Sequence, residues 1–246
     1  MIITLCSVRG APGVSVSAVL LAAAWPGTTD RVVLEADLDG GVLGARYGVG
    51  VEPGAGALVS ALRHDVTDER LLERSARRVD QYVWLVPGPE SATTATRLWG
   101  ADRAVKQVAD ALAADARVWF VDAGRASSRS VTAPLIERSA LALLFSRDQP
   151  ADLLQLPERV AELRALGTEA GVVIVGAPAY RTDELRTFCG VERLWRVTAD
   201  PAIVAHTQRG WADRRLRRTP VWRDLVAVAA DLADAWTPSP AGEPDA

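Results

Sequence analysis

A short apolar strand that runs into a glycine loop, and then into a helix of small residues, constrains this chain more than any other stretch. Ile2-Ile3-Thr4-Leu5-Cys6 is β-branched and apolar, long enough for one buried strand. Ser7-Val8-Arg9-Gly10-Ala11-Pro12-Gly13-Val14-Ser15 interrupts it with glycine and proline. Val14 to Trp25 is then an unbroken run of small apolar residues and reads as a buried helix. Strand, glycine loop and helix in that order form an anion cradle, because loop amides and the unpaired N–H groups of the helix start face one spot. The common phosphate loop closes on Gly-Lys-Ser/Thr. Gly13 and Ser15 hold their places here, but Val14 stands where the lysine belongs. On the loop alone, a tight strand-to-helix turn without a ligand competes with the cradle reading.

The segments that follow bring acids to the same place. Arg31-Val32-Val33-Leu34-Glu35-Ala36-Asp37 is a strand ending in carboxylates, followed by Leu38-Asp39-Gly40-Gly41. Arg117 to Gly124 is an apolar run closing on Asp122 and a glycine. In a parallel sheet the carboxyl ends of all strands share one edge, so loop and acids would meet there. Acids at a strand end also cap turns, and that reading stays open for Glu35, Asp37 and Asp39. Further strands are expected at Tyr82–Val86, Leu141–Ser146, Gly171–Gly176 and Glu192–Val197. Helices are expected at 57–64, 68–78, 103–114 and 152–166. Continuous apolar strands alternating with helices predict an α/β fold: three layers, doubly wound, with a mainly parallel sheet of about seven or eight strands and helices on both faces.

Arg9-Gly10-Ala11-Pro12-Gly13-Val14-Ser15 resembles the deviant Walker A loop of the MinD/ParA family of P-loop ATPases, Lys-Gly-Gly-x-Gly-Lys-Ser/Thr. The resemblance places Arg9 at the signature lysine, which in the family reaches the nucleotide of a partner subunit across a sandwich dimer. It places Val14 at the Walker lysine, Ala11 at a glycine, and Ser15 at the magnesium-binding hydroxyl. Glu35 to Gly40 resembles the family's Asp-x-Asp-Pro-x-Gly, with Asp37 at the acid that orients the attacking water and Glu35 at the first acid. The alternative register, Asp37 with Asp39, loses the glycine. Asp122 resembles the Walker B acid that holds magnesium through water. Thr198-Ala199-Asp200-Pro201 matches the late Pro/Asp loop beside the base. The implied nucleotide contacts are Arg9, Gly10, Ala11, Pro12, Gly13, Val14, Ser15, Asp200 and Pro201. The implied magnesium contacts are Ser15 and Asp122, and the implied cofactor is ATP or ADP with magnesium. The resemblance runs to about Trp236, so residues 1–236 are expected to form one domain, with 237–246 a disordered Pro-rich tail.

Composition narrows the partners. A formal charge of −3 gives no global attraction to nucleic acid or to an anionic membrane. Lys106 is the only lysine, so arginine at position 9 fits the chain's habit, whereas valine at 14 does not. Arg209, Arg214, Arg215, Arg217, Arg218 and Arg223 form a basic cluster that either grips phosphates or pairs with nearby acids. Trp222, Leu225, Val226, Ala229, Leu232, Ala233 and Trp236 fall on one helical stripe. MinD proteins end in a membrane-binding amphipathic helix. Here the polar face carries Asp224, Asp231 and Asp234 against Arg223 alone, so the stripe is expected to pack on the core, with no direct membrane insertion. Trp99 and Trp211 are candidate partner contacts. His64 and His206 are isolated, and Cys6 and Cys189 lack metal spacing, which suggests a reducing compartment. With no apolar run of membrane-spanning length and no charged region before the first apolar stretch, the expected location is cytoplasmic.

Three functions are compatible with these residues. One is a non-hydrolysing or weakly active dimeric positioning or scaffold component with a protein partner, resembling the TadZ/CpaE group that localises pilus-secretion machinery. The second is an active ATPase in which Arg9 compensates for Val14. The third is a ParA-type DNA-segregation protein using Arg214, Arg215, Arg217 and Arg218.

Overall fold

The structure is a computed structural model that describes residues 1–10, 13–64, 66, 70–101, 103–125, 127–208 and 215–236. Ala11, Pro12, Arg209, Trp211, Arg214, the tail from 237 to 246 and the His206 side chain lie outside what it describes.

Eight strands form one sheet: β1 (Ile2–Ser7), β2 (Arg31–Glu35), β3 (Arg77–Asp80), β4 (Val83–Val86), β5 (Val118–Asp122), β6 (Leu141–Arg147), β7 (Ala170–Val175) and β8 (Leu194–Val197). Their order is β3-β4-β2-β5-β1-β6-β7-β8, parallel throughout except for β3, which runs antiparallel to β4. All six residues of β1 and all five of β2 are buried, as strands covered on both faces must be. Successive side chains of β1 serve opposite layers. Ile3 and Leu5 join the core under helix Val14–Ala24, while Ile2 joins the core that holds Leu58, Trp99, Val108 and Leu112. This is the expected three-layer, doubly wound arrangement.

The stripe at the carboxyl end is a helix, Pro220–Trp236, whose Val221, Leu225, Val228, Ala229, Leu232 and Ala233 are buried. It packs against helix Val14–Ala24 in the same core. Burying each leucine contributes about 1.5–3 kcal/mol. Two of the acids on its polar face are tied to the domain: Asp231 accepts from the Trp195 indole at 2.8 Å, and Asp224 accepts from the Thr198 amide at 2.8 Å. Among the described residues, no helix is long and apolar enough to cross a membrane.

Three expectations are corrected. Of the helix expected over 68–78, the described residues form Arg70–Ser75 and end there, and Arg77 begins β3 instead. This edge strand exposes Arg77 and Arg78, so it carries no buried alternation to read, and its order comes from pairing with β4. Trp99 is not a surface contact, since it lies fully inside the sheet's second face. Val226 is exposed and sits off the buried stripe, because Val221 and Val228 occupy the packing face.

Candidate functional site

The loop after β1 is built on two left-handed glycines, Gly10 (φ +81°) and Gly13 (φ +86°). Any side chain at these positions would be strained, so glycine is what lets the loop turn. Gly13 caps helix Val14–Ala24, and its carbonyl accepts from the Ser17 amide at 2.8 Å. The helix carries no acid of its own in its first turn. Ser7 fastens the loop to the strand beside it: its amide donates to the Gly124 carbonyl at 2.8 Å, and its hydroxyl accepts from the Gly10 amide at 3.1 Å.

Val14 is 6% exposed and belongs to the core cluster under this helix. The first residue of this helix is thus a core side chain.

A cleft of about 750 Å³ opens over the carboxyl edge of the sheet, with Gly10, Gly13, Val14, Ser15, Asp37, Asp122, Asp200 and Pro201 on its walls. The sequence-predicted acids and the loop therefore share one site. Asp122, at the end of β5, is fully buried. Its Oδ1 accepts from the Gly124 amide at 3.0 Å, while Oδ2 is buried without a hydrogen-bond partner. Burial pushes this carboxyl up to about 7; the Ser15 side chain and the Gly124 amide offset part of that, and the charges of Glu35 and Asp37 add to it. An orphaned carboxylate oxygen beside a loop serine suits a divalent cation. No group of three His, Cys, Asp or Glu side chains among the described residues converges as a metal site, so further ligands would have to come from phosphate or water.

Glu35 has a different task. Its Oε1 accepts from the amides of Val42 (2.6 Å) and Leu43 (2.9 Å), and Oε2 accepts from Gly88 (2.9 Å). It braces the segments that follow β2 and β4, and burial raises its pKa although all three amides pull the other way. Asp37 is half-buried and lies against Gly124, where an added Cβ would sit 2.1 Å from Asp37 Oδ1. Gly124 (φ +58°) is thus needed both for its backbone and for the space it leaves Asp37. Burial, with Asp39 nearby, also raises the pKa of Asp37.

Arg9 does not line this cleft. It borders a neighbouring hollow with Asp37, Asp39 and Arg159, and with the Gln155 amide oxygen turned toward it, Arg9 donates from Nη2 (2.7 Å) and Nε (3.2 Å). Asp200 caps its own loop, accepting from the Ala202 amide at 2.9 Å. Arg215, Arg217 and Arg218 lie around the short turn Leu216–Arg218 and are not on the cleft walls.

Two features escaped the sequence reading. Asp148 lines the cleft and accepts from Arg196 Nη1 (2.7 Å) and the Ala179 amide (2.9 Å), linking the edges of β6, β7 and β8. Arg125, one residue after Gly124, also faces the cleft. Its place just beyond an Asp-x-Gly strand end was the available signal.

No protein-family model and no curated protein matches the sequence. Solved structures do match over nearly their whole length. A ParA family ATPase from Chlorobium tepidum superposes with a TM-score of 0.79 at 16% identity, covering 94% of this chain and 98% of that one. MinD from Pyrococcus horikoshii, complexed with Mg-ADP, gives 0.75 at 17% identity over 95% and 96%. A chain of the Aquifex aeolicus MinC:MinD cell division protein complex gives 0.72 at 12% identity over 97% of each. A glycine loop after the central strand, acids gathered at the same sheet edge and this likeness together mean that the chain has the MinD/ParA-like P-loop fold.

Proposed function

We propose that this chain is a MinD/ParA-like protein with a degenerate nucleotide site, working as a dimeric positioning or scaffold component whose hydrolysis is at or near background. The observation that carries the proposal is Val14, a core side chain at the Walker lysine position. Phosphoryl transfer depends on fixed cations around the transferred phosphate. Losing one costs on the order of 3 kcal/mol or more, by analogy with removing one preorganised donor. Arg9, engaged with Gln155 in the adjoining hollow, supports weak turnover over compensation from the loop's start.

Binding survives in this reading. The loop amides and the helix start hold the phosphates of ATP or ADP, with Asp200 and Pro201 at the far wall. Ser15 and Asp122 would hold magnesium, which when bound neutralises phosphate charge. Asp37 orients water weakly or not at all. The Mg-ADP and MinC:MinD structures lend support to a nucleotide-holding fold that meets a protein partner. The partner would be another protein, such as a secretion or pilus component, with a second copy of the chain across the loop face.

The test pairs wild type with Val14→Lys in ATP titrations and steady-state hydrolysis with magnesium. We expect background turnover in wild type and at least a tenfold gain in ATP affinity from the lysine, about 1.4 kcal/mol. Robust wild-type turnover that Asp37→Ala abolishes would refute the proposal.

A further inference from the structure

Among the described residues that line the cleft, the cations are Arg46, Arg125 and Arg147. Arg147 is committed to Asp152 at 2.6 Å. Arg125 is different in kind. Its side chain lies along the loop itself, so that a Cβ on Gly10 would meet Arg125 Cδ at 3.2 Å and Nε at 3.7 Å. It borders both the cleft and the neighbouring hollow. Its guanidinium is held by a single carboxylate oxygen, with Nε 2.9 Å and Nη2 2.5 Å from Asp39 Oδ2. Both partners are more than half exposed.

We propose that Arg125 is the stand-in cation of this phosphate cradle, parked on Asp39 at its rim and transferred to a di- or triphosphate when one enters. The inference rests on the reading of the loop as a nucleotide cradle. It follows from charge balance at the site. Asp37, Asp39, Asp122, Asp148 and Asp200 face the cleft against Arg46, Arg125 and Arg147, and Val14 adds no charge. A multiply charged anion is favoured by a cation within reach. An ion pair as exposed as Arg125–Asp39 is weak and readily exchanged. A guanidinium fork meets two phosphate oxygens at once, whereas here both of its donors share one carboxylate oxygen. The missing lysine is thus replaced from the far side of the loop, by the chain that follows β5.

The experiment measures ATP, ADP and inorganic pyrophosphate binding, each with magnesium, by titration calorimetry. The proteins are wild type, Arg125→Ala, Asp39→Asn, the double variant and Val14→Lys. Because the pair is exposed, the Arg125 and Asp39 variants should fold; Val14 is buried, so circular dichroism checks the fold of Val14→Lys as well as of the others. Arg125→Ala should weaken binding about tenfold, and Asp39→Asn should strengthen it about threefold, as expected for freeing a charge-assisted donor. The gain from Asp39→Asn should vanish in the Arg125→Ala background. A pyrophosphate response equal to that of ATP would mean that the phosphate chain alone recruits Arg125. A response confined to ATP and ADP would mean that a nucleotide does; either supports the inference. An equal Asp39→Asn gain with and without Arg125 would overturn it, leaving only general charge repulsion. So would an unchanged Arg125→Ala affinity while Val14→Lys still binds tighter, since the cradle would then be sound without Arg125. If no protein, Val14→Lys included, binds any of the three, the cradle reading itself fails and takes the inference with it.

Discussion

Asp122→Asn should stabilise the ligand-free protein in a pH-dependent way. The wild-type carboxyl is fully buried and raised from its ordinary 3.8 to about 7. At 1.36 kcal/mol per pH unit, holding that group charged above neutrality costs the folded state about 4 kcal/mol. Asparagine removes the charge and keeps the acceptor for the Gly124 amide. Its new NH2 replaces an oxygen that already lacked a partner, a penalty of about 1–3 kcal/mol that offsets part of the gain. The expected net gain at pH 8 is about 1–3 kcal/mol, or roughly 2–4 °C of Tm for each kcal/mol in a chain of this size. Because the folded pKa is raised, the folded wild type takes up a proton more readily than the unfolded chain. Its favourable contribution is complete below 3.8 and is lost as pH rises through about 7. The advantage of asparagine should therefore shrink by about 2–3 kcal/mol between pH 8 and pH 5. Urea unfolding of both proteins at the two pH values measures this. An equal difference at both pH values would show that Asp122 does not titrate in this window, and the argument from burial would fail.

The remaining outcomes are simpler. Glu35→Ala strips the acceptor from three backbone amides and should cost about 3 kcal/mol or more in urea unfolding, since each buried orphan is expensive; a cost under about 1 kcal/mol would mean water fills the gap. Sedimentation should show self-association that strengthens with ATP and magnesium. A monomer at all concentrations, with and without nucleotide, would remove the dimer from the proposal.

The layout of this protein was legible wherever burial wrote it into hydrophobicity. β1, β2 and β5 are continuous apolar runs because helices cover both their faces, and the acids that close two of them marked the functional edge. β3 was not legible, since an exposed edge strand is ordered by its neighbour's amides and carbonyls and not by its own side chains. The division of labour among the acids was equally hidden. Glu35 and Asp122 both end a strand, yet one is satisfied by three amides and the other is left with a bare oxygen. Backbone donors carry no residue signature, so nothing local separates the two. Arg125 and Asp39 are far apart in sequence, and only the parallel pairing of β2 with β5 brings them together.

The position of β1 sets the order in which the molecule can be made. It is hydrogen-bonded between β5 and β6, so during synthesis it has neither neighbour until Val118–Asp122 and Leu141–Arg147 have followed it. Helix Val14–Ala24 waits longer still, because its outer cover is Pro220–Trp236, which follows β6 in the chain. Such distant closures are slow and leave apolar surface uncovered meanwhile. The glycine loop is thus made long before the helix behind it is covered, and a chain cut before residue 220 would leave that helix unroofed.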